Sequence, residues 1–163
     1  MGDAAPPLLV TLACSWREVG AASAPDASYA LRTSLPQVVP TGGLVELGVD
    51  LEPLRPVRGG GQVVARIGLP GGCVLDPAGL ADWSAQVSHH EVEGGALVLY
   101  FETPPGSTHL RVPLRARVAG TYASGPSEVA PYYEADRAAY AAGRTLRVIT
   151  GYDDDPGSLG RGK

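Results

Sequence analysis

Alternation with a period of two residues runs through most of this chain, and it constrains the fold more than any other feature. Leu110, Val112, Leu114, Ala116 and Val118 alternate with His109, Arg111, Arg115 and Arg117. Leu97, Leu99 and Phe101 alternate with Val98 and Tyr100, and Val45, Leu47, Val49 and Leu51 alternate with Glu46, Asp50 and Glu52. Successive side chains of a strand point to opposite faces, so each segment predicts a strand with one face turned to a core. The same pattern recurs at Leu8 to Trp16, Tyr29 to Leu35 and Val63 to Leu69, with shorter strands at Val87 to Val92, Val129 to Tyr133 and Leu146 to Val148. Turn residues separate them: Thr41-Gly42-Gly43, Glu93-Gly94-Gly95 and Pro104-Pro105-Gly106. Pro113 interrupts an outward face and predicts an edge or a bulge there.

One helix stands out. Asp76 suits an N-cap, Pro77 a first helical position, and Leu80 and Trp83 would share a face. Asp136 to Ala142 reads as one helical turn closed by Gly143. Eight or nine short strands with a single helix make an all-β chain with one short helix, and the architecture predicted is a β-sandwich. The 163 residues suffice for one cored domain. Its expected layout is an N-terminal extension over 1–7, the sandwich over 8–149, and a disordered tail over 150–163 without apolar content. The expected core includes Leu12, Trp16, Ile67, Leu97, Leu99, Phe101, Leu114 and Val118.

A net charge of −4 argues against a nucleic-acid partner. No apolar run approaches the roughly 18 residues of a membrane span. The opening Met-Gly-Asp-Ala-Ala lacks the basic region of a signal peptide. Two readings follow: a piece of a larger secreted chain, or a cytosolic product.

Side chains with chemical potential are scattered. Cys14 and Cys73 both sit in apolar strand-like surroundings; buried free thiols are the plainer reading, and a disulfide is open to an exported chain. His89 and His90 are adjacent on a strand and face opposite ways, so they do not converge on a metal. Asp153-Asp154-Asp155 lacks the alternation of a calcium loop. Gly59-Gly60-Gly61 lacks the Lys-Ser/Thr ending of a phosphate loop, and Gly71-Gly72 is not one either. Ser107, His109 and Asp136 are too dispersed for a triad. No cofactor is implied, and an enzyme is not expected. The outward arginines Arg111, Arg115 and Arg117, with His109 beside them, are a solvated edge on the plain reading and a protein-docking surface on the sharper one.

Two long alternating strands, the Gly120-Thr121-Tyr122 break and the Tyr132-Tyr133-Glu134-Ala135-Asp136 exit resemble the C-terminal domain of the α-macroglobulins, called the receptor-binding domain in animals. Leu8 to Trp16 resembles the family's opening strand. Val63 to Leu69, Gly72 and Leu75-Asp76-Pro77 resemble the strand that enters its Leu-Lys-Pro helix, and His90-Glu91-Val92 with Leu97 to Phe101 resembles its hairpin. The resemblance implies a sandwich of that type. It also implies a non-catalytic docking module of a protease-trapping protein, of bacterial type, whose partners are other macroglobulin domains or another protein. Export to the periplasm or the extracellular space is expected if the chain is part of an exported protein. Neither cysteine lies in the Cys-Gly-Glu-Gln segment that forms the family's thioester, so the trapping chemistry is not expected in this chain. In the animal domains two lysines on the Leu-Lys-Pro helix contact receptors of the low-density-lipoprotein family. Asp76 and Leu80 stand at those positions here, so binding to that family is not expected. The alternative is a free-standing secreted or cell-surface sandwich that takes a ligand or partner through the loops Pro53 to Gly61 and Gly120 to Pro126.

Overall fold

A computed structural model describes residues 22–57, 61–79, 83 and 86–150. Leu12, Cys14, Trp16, Leu80 and the tail from Gly151 lie outside the described residues.

The alternating segments pair into two main sheets. Strands β1 (Tyr29–Ser34), β3 (Leu44–Pro53), β8 (Thr108–Ala116) and β5 (Cys73–Leu75) form one, in the order β1-β3-β8-β5. The other has the order β11-β10-β4-β7-β6, built from Ala139–Ala141, Ser127–Pro131, Val63–Gly68, Ala96–Phe101 and His89–Glu93. A small third sheet carries β12 (Thr145–Ile149) between β2 (Val38–Pro40) and β9 (Gly120–Ala123). Register sets which residues face inward. Leu47 lies opposite Val112 and Val45 opposite Leu114, while Ala65 lies opposite Leu99 and Ile67 opposite Leu97. Their side chains join one hydrophobic core with Leu51, Phe101, Val129 and Leu146, which makes the domain a β-sandwich. Of the expected core, Ile67, Leu97, Leu99, Phe101 and Leu114 are buried.

Val118 is not buried: it is 58% exposed. Strand β8 ends at Ala116, and the amides of Arg117 and Val118 both donate to the carbonyl of Gly72. That turn takes the chain out of the sheet before the alternation reaches Val118. Pro113 lies where β5 gives out. Its carbonyl accepts from Asp76 N at 2.8 Å, one residue past the end of β5. The edge on which Pro113 has no N–H to offer is therefore at the margin of the sheet, as a proline requires.

Among the described residues the expected helix shows a 3-10 turn over Pro77–Gly79, with residues 80–82 and 84–85 outside that set. The Asp76 carboxylate caps it by accepting from Ala78 N at 3.2 Å. Trp83 is buried, and its indole N–H donates to the carbonyl of Arg111 at 3.2 Å. The helical turn expected over Asp136 to Ala142 is shorter and earlier, Ala135–Arg137, and Ala139–Ala141 is strand β11. Alanine prefers helix, but pairing with β10 and burial of Ala139 outweigh that preference. Half of the expected loop Gly120 to Pro126 is strand β9, paired with Thr145 to Val148. Gly72 explains part of this: at φ +72 it leaves room for the Tyr122 ring, which any Cβ would overlap.

Candidate docking surface

The outer face of the four-stranded sheet carries the arginines singled out above. Leu110, Val112, Leu114 and Ala116 point into the core, so His109, Arg111 and Arg115 project outward from β8. Strand β3 brings its own outward residues into register. Asp50 lies opposite His109 and Gly48 opposite Arg111, while Glu46 lies opposite Pro113. The result is a ladder of acidic and basic neighbours. His109 Nδ1 lies 2.6 Å from Asp50 Oδ1, and Arg111 Nε lies 3.6 Å from Glu46 Oε1. Arg115 Nη2 donates to Asp76 Oδ2 at 2.9 Å and its Nη1 to the carbonyl of Gly42 at 3.2 Å. Arg117, exposed beyond the end of β8, makes no ion pair among the described residues. A bond from the Ala78 amide, followed by one from Arg115, holds the Asp76 carboxyl below its usual range.

This face is therefore a ladder of acid–base neighbours that ends in Arg117, unpaired among the described residues. Each exposed pair contributes about 0–1 kcal/mol to stability, so the ladder does little for the fold. It does fix the direction in which each charged group points. The outward acids of β3 were visible in the sequence. What the sequence lacked was the knowledge that β3 is the neighbour of β8.

The remaining candidates are separated. His89 stacks near Tyr100 with ring centroids 5.6 Å apart, and His90 meets the edge of Trp83 at 6.0 Å. Among the described residues no three metal-ligating side chains converge. The acid beside His109 is Asp50 and not Asp136, which sits in the 3-10 turn after β10. Ser107 shares a groove with Asp50 and His109, yet no hydrogen bond joins it to the imidazole among the described residues. Cys73 is a half-buried free thiol, and burial pushes its pKa up, away from reactivity. Tyr132 and Tyr133 leave β10 as an exposed T-shaped pair with centroids 5.0 Å apart. Behind them Arg137 is buried, held by Glu134 and by the carbonyl of Asp26 at 3.2 Å.

The loop Pro53 to Val57 and the turn Pro104-Pro105-Gly106 enclose a groove of about 400 Å³ with Tyr29 at its base. The Tyr29 hydroxyl donates to the carbonyl of Pro105 at 3.2 Å, and burial pushes its pKa up to about 12. No helix among the described residues is long and apolar enough to cross a membrane.

No protein-family model and no curated protein sequence matches this chain. Solved structures do. Over 77% of this chain the fold superposes on native α2-macroglobulin from Escherichia coli, in a structure running from domain MG7 to the C-terminus, with a TM-score of 0.62 and 19% identity. The cryo-EM structure of the native E. coli protein gives 0.64 and 17% identity over 80% of this chain. Salmonella α2-macroglobulin reacted with methylamine gives 0.60 and 15% over 80%. The chain spans only 24%, 10% and 10% of those three chains. The fold is that of the C-terminal region of the bacterial α2-macroglobulins.

Proposed function

We propose that this chain is a non-catalytic docking module of a macroglobulin-like, protease-trapping protein, and that it works in an exported compartment. The observation that carries the reading is the fold likeness combined with its proportions. Four-fifths of this chain accounts for a tenth of a bacterial α2-macroglobulin, so the shared unit is one domain among many. A domain in that setting works through contacts with its neighbours. The charged ladder of the four-stranded sheet, with Arg111, Arg115 and Arg117, is the surface we assign to such contacts. Fixed, alternating charges favour a partner with the complementary order and disfavour others. Arg117 is the group with charge to spare. Asp76 is engaged by Arg115 and by the Ala78 amide, which supports our reading that the 3-10 turn is no lysine-type site for receptors of the low-density-lipoprotein family.

The test has two parts. The coding sequence upstream, in the same chain or operon, is read for a Cys-Gly-Glu-Gln segment. The polypeptide carrying it is then titrated with this chain and with an Arg111→Glu/Arg117→Glu variant. Saturable binding that the variant weakens about tenfold or more supports the reading. Absence of the segment, or binding indifferent to the variant, removes it.

The groove under Pro104 and Pro105 supports a second reading, a free-standing sandwich that takes a ligand at its loop end. Its lining is mostly apolar, with Leu54, Pro56, Val57 and Pro105 beside Tyr29 and Arg55. An apolar ligand that quenches or shifts tyrosine fluorescence, with an effect lost in Leu54→Asp, would favour it.

A further inference from the structure

A different surface carries a more definite partner chemistry. Where β12 begins, a groove of about 510 Å³ is lined by Leu35, Gln37, Val38, Arg144, Thr145 and Arg147. Among the described residues its lining holds two guanidinium groups and no carboxylate. Most other arginines near a groove or on a sheet face have an acid beside them. Arg66 pairs with Glu93, Arg111 with Glu46, Arg115 with Asp76 and Arg137 with Glu134. Arg32 shares its groove with Asp50 and Glu52. In a chain of net charge −4, two arginines left together with no acid beside them among the described residues mark a place suited to a partner's negative charge.

The frame of this groove is fixed. Arg144 donates its backbone N–H to Ser124 Oγ at 2.9 Å and accepts from Ser124 N at 2.8 Å. Its Nε donates to the carbonyl of Thr33 at 3.0 Å, which anchors the guanidinium and leaves its two terminal amino groups without a partner among the described residues. Gly143, next to it, packs so closely on Ser124 that a Cβ would overlap the carbonyl oxygen. Arg147 donates its backbone N–H to Gln37 O at 2.8 Å and lies in register with Val38 on the neighbouring parallel strand. Leu146 and Val148 are buried, so Thr145 and Arg147 project from the outer side of β12. Val38 is 51% exposed beside them. The groove thus offers two cations beside the apolar Leu35 and Val38, along β2, which is an edge strand among the described residues.

We propose that this groove docks an extended, acidic segment of a partner polypeptide. Arg144 and Arg147 take its carboxylates, and Leu35 and Val38 receive an apolar side chain between them. Guanidinium binds carboxylate through paired N–H donors, which gives direction as well as attraction. The chain's own acids, Asp153 to Asp155, are less suited to the pair than a separate segment. From Thr150, five fully extended residues reach about 17 Å, while β12 back to Thr145 already spans about 17 Å. Asp155 would need every residue of reach to arrive level with Thr145, and none would be left for the reversal. Bridging both arginines would therefore leave the tail no slack, which favours a separate partner segment.

The experiment uses the whole chain, isotopically labelled, and a short acetylated and amidated peptide of alternating Glu and Val. The Nε–Hε resonances of Arg144 and Arg147 and the amide of Gln37 should shift saturably. Arg147→Gln should weaken binding about tenfold or more, and Arg111→Glu/Arg117→Glu should leave it unchanged, which keeps this site separate from the ladder. A Gln/Val peptide should not bind. Arg144→Gln is a second variant, read only if it melts like the parent, because it also loses the Thr33 contact. Four outcomes overturn the proposal: no saturable shift, binding indifferent to Arg147→Gln, inorganic phosphate saturating the same resonances as tightly as the peptide, or binding that appears only once the chain is cut after Thr150. Phosphate would make this a small-anion site, and the last outcome would make the tail its occupant.

Discussion

The two sheets of the sandwich share one core but turn different outer faces to their surroundings. On the five-stranded sheet, Val98 projects outward and is still only 5% exposed, with Val64, Ala130 and Tyr100 half-buried around it. Long amphipathic side chains cover that face. Arg66 reaches Glu93 at 3.2 Å and also bonds that residue's carbonyl, and Tyr100 donates to Glu91 Oε1 at 2.6 Å. On the four-stranded sheet the outward positions hold Asp50, Glu46, His109 and Arg111, all exposed. Inner faces of both sheets obey one rule, burial, and so specify the fold. The outer faces divide: one extends apolar packing under a polar cover, and the other displays charge in a fixed order.

The largest test of that division sets an inner residue against an outer one on the same strand. Leu99→Ala removes a fully buried side chain between the sheets and should cost about 2–5 kcal/mol. Val98→Ala removes a buried side chain that stands outside the shared core and should cost about 1 kcal/mol. Denaturant midpoints with unchanged slopes read both. Equal costs would mean that the outer face of the five-stranded sheet is a second core, covered more firmly than Arg66 and Tyr100 account for.

A smaller effect belongs to the ladder and depends on pH. The Asp76 carboxyl is held below its usual value of 3.8, chiefly by the Ala78 amide and then by Arg115. A depressed folded value means that the stability it contributes is complete above 3.8 and is lost as pH falls through the lower folded value. Asp76→Asn should therefore melt below the parent near neutral pH, and the gap should close in acid. A gap that persists well below 3.8 would show that the asparagine fails through its shape and not through its charge. Smaller again is Glu46→Gln. Arg111 and Glu46 have 70% and 58% of their side chains exposed and stand 3.6 Å apart, so the loss should stay under about 1 kcal/mol and vanish in high salt. A larger loss would mean that the ladder holds the fold as well as facing a partner.

The legible and illegible parts of the molecule fall on either side of the same division. Inner faces repeat every second residue, so β3, β4, β7 and β8 could be read directly from Val45 to Leu51, Val63 to Leu69, Leu97 to Phe101 and Leu110 to Ala116. Alternation does not announce its own end, which is why Val118 read as core. Strand β11 is Ala-Tyr-Ala, and only its pairing with β10 tells it from a helical turn. Strand β9 opens on glycine and read as a loop. The ladder was half legible: both sets of outward charges were evident, but their meeting rests on long-range register. The groove of Arg144 and Arg147 had no local signal. It exists because β2 pairs in parallel with β12, bringing Val38 beside Arg147.

The smallest expected effect concerns the acids that follow β12. Removing everything after Thr150 takes away Asp153, Asp154 and Asp155 together with a stretch of Gly, Ser and Pro. What holds the end of β12 stays. The carbonyl of Ile149 accepts from both the amide of Thr41, at 2.8 Å, and its hydroxyl, at 3.0 Å. Leu146 and Val148 remain buried, and β12 keeps its neighbours on both sides. The shortened chain should melt within about 2 °C of the parent, less than the shift that 1 kcal/mol produces in a domain of this size. The removed carboxylates also test the charged surfaces. If they settle on Arg117 or Arg147 in the intact chain, the cut should lower the melting temperature at low salt and leave it unchanged at high salt. A loss that survives high salt would instead place apolar packing in the tail, in Tyr152 or Leu159, and extend the core past the last strand.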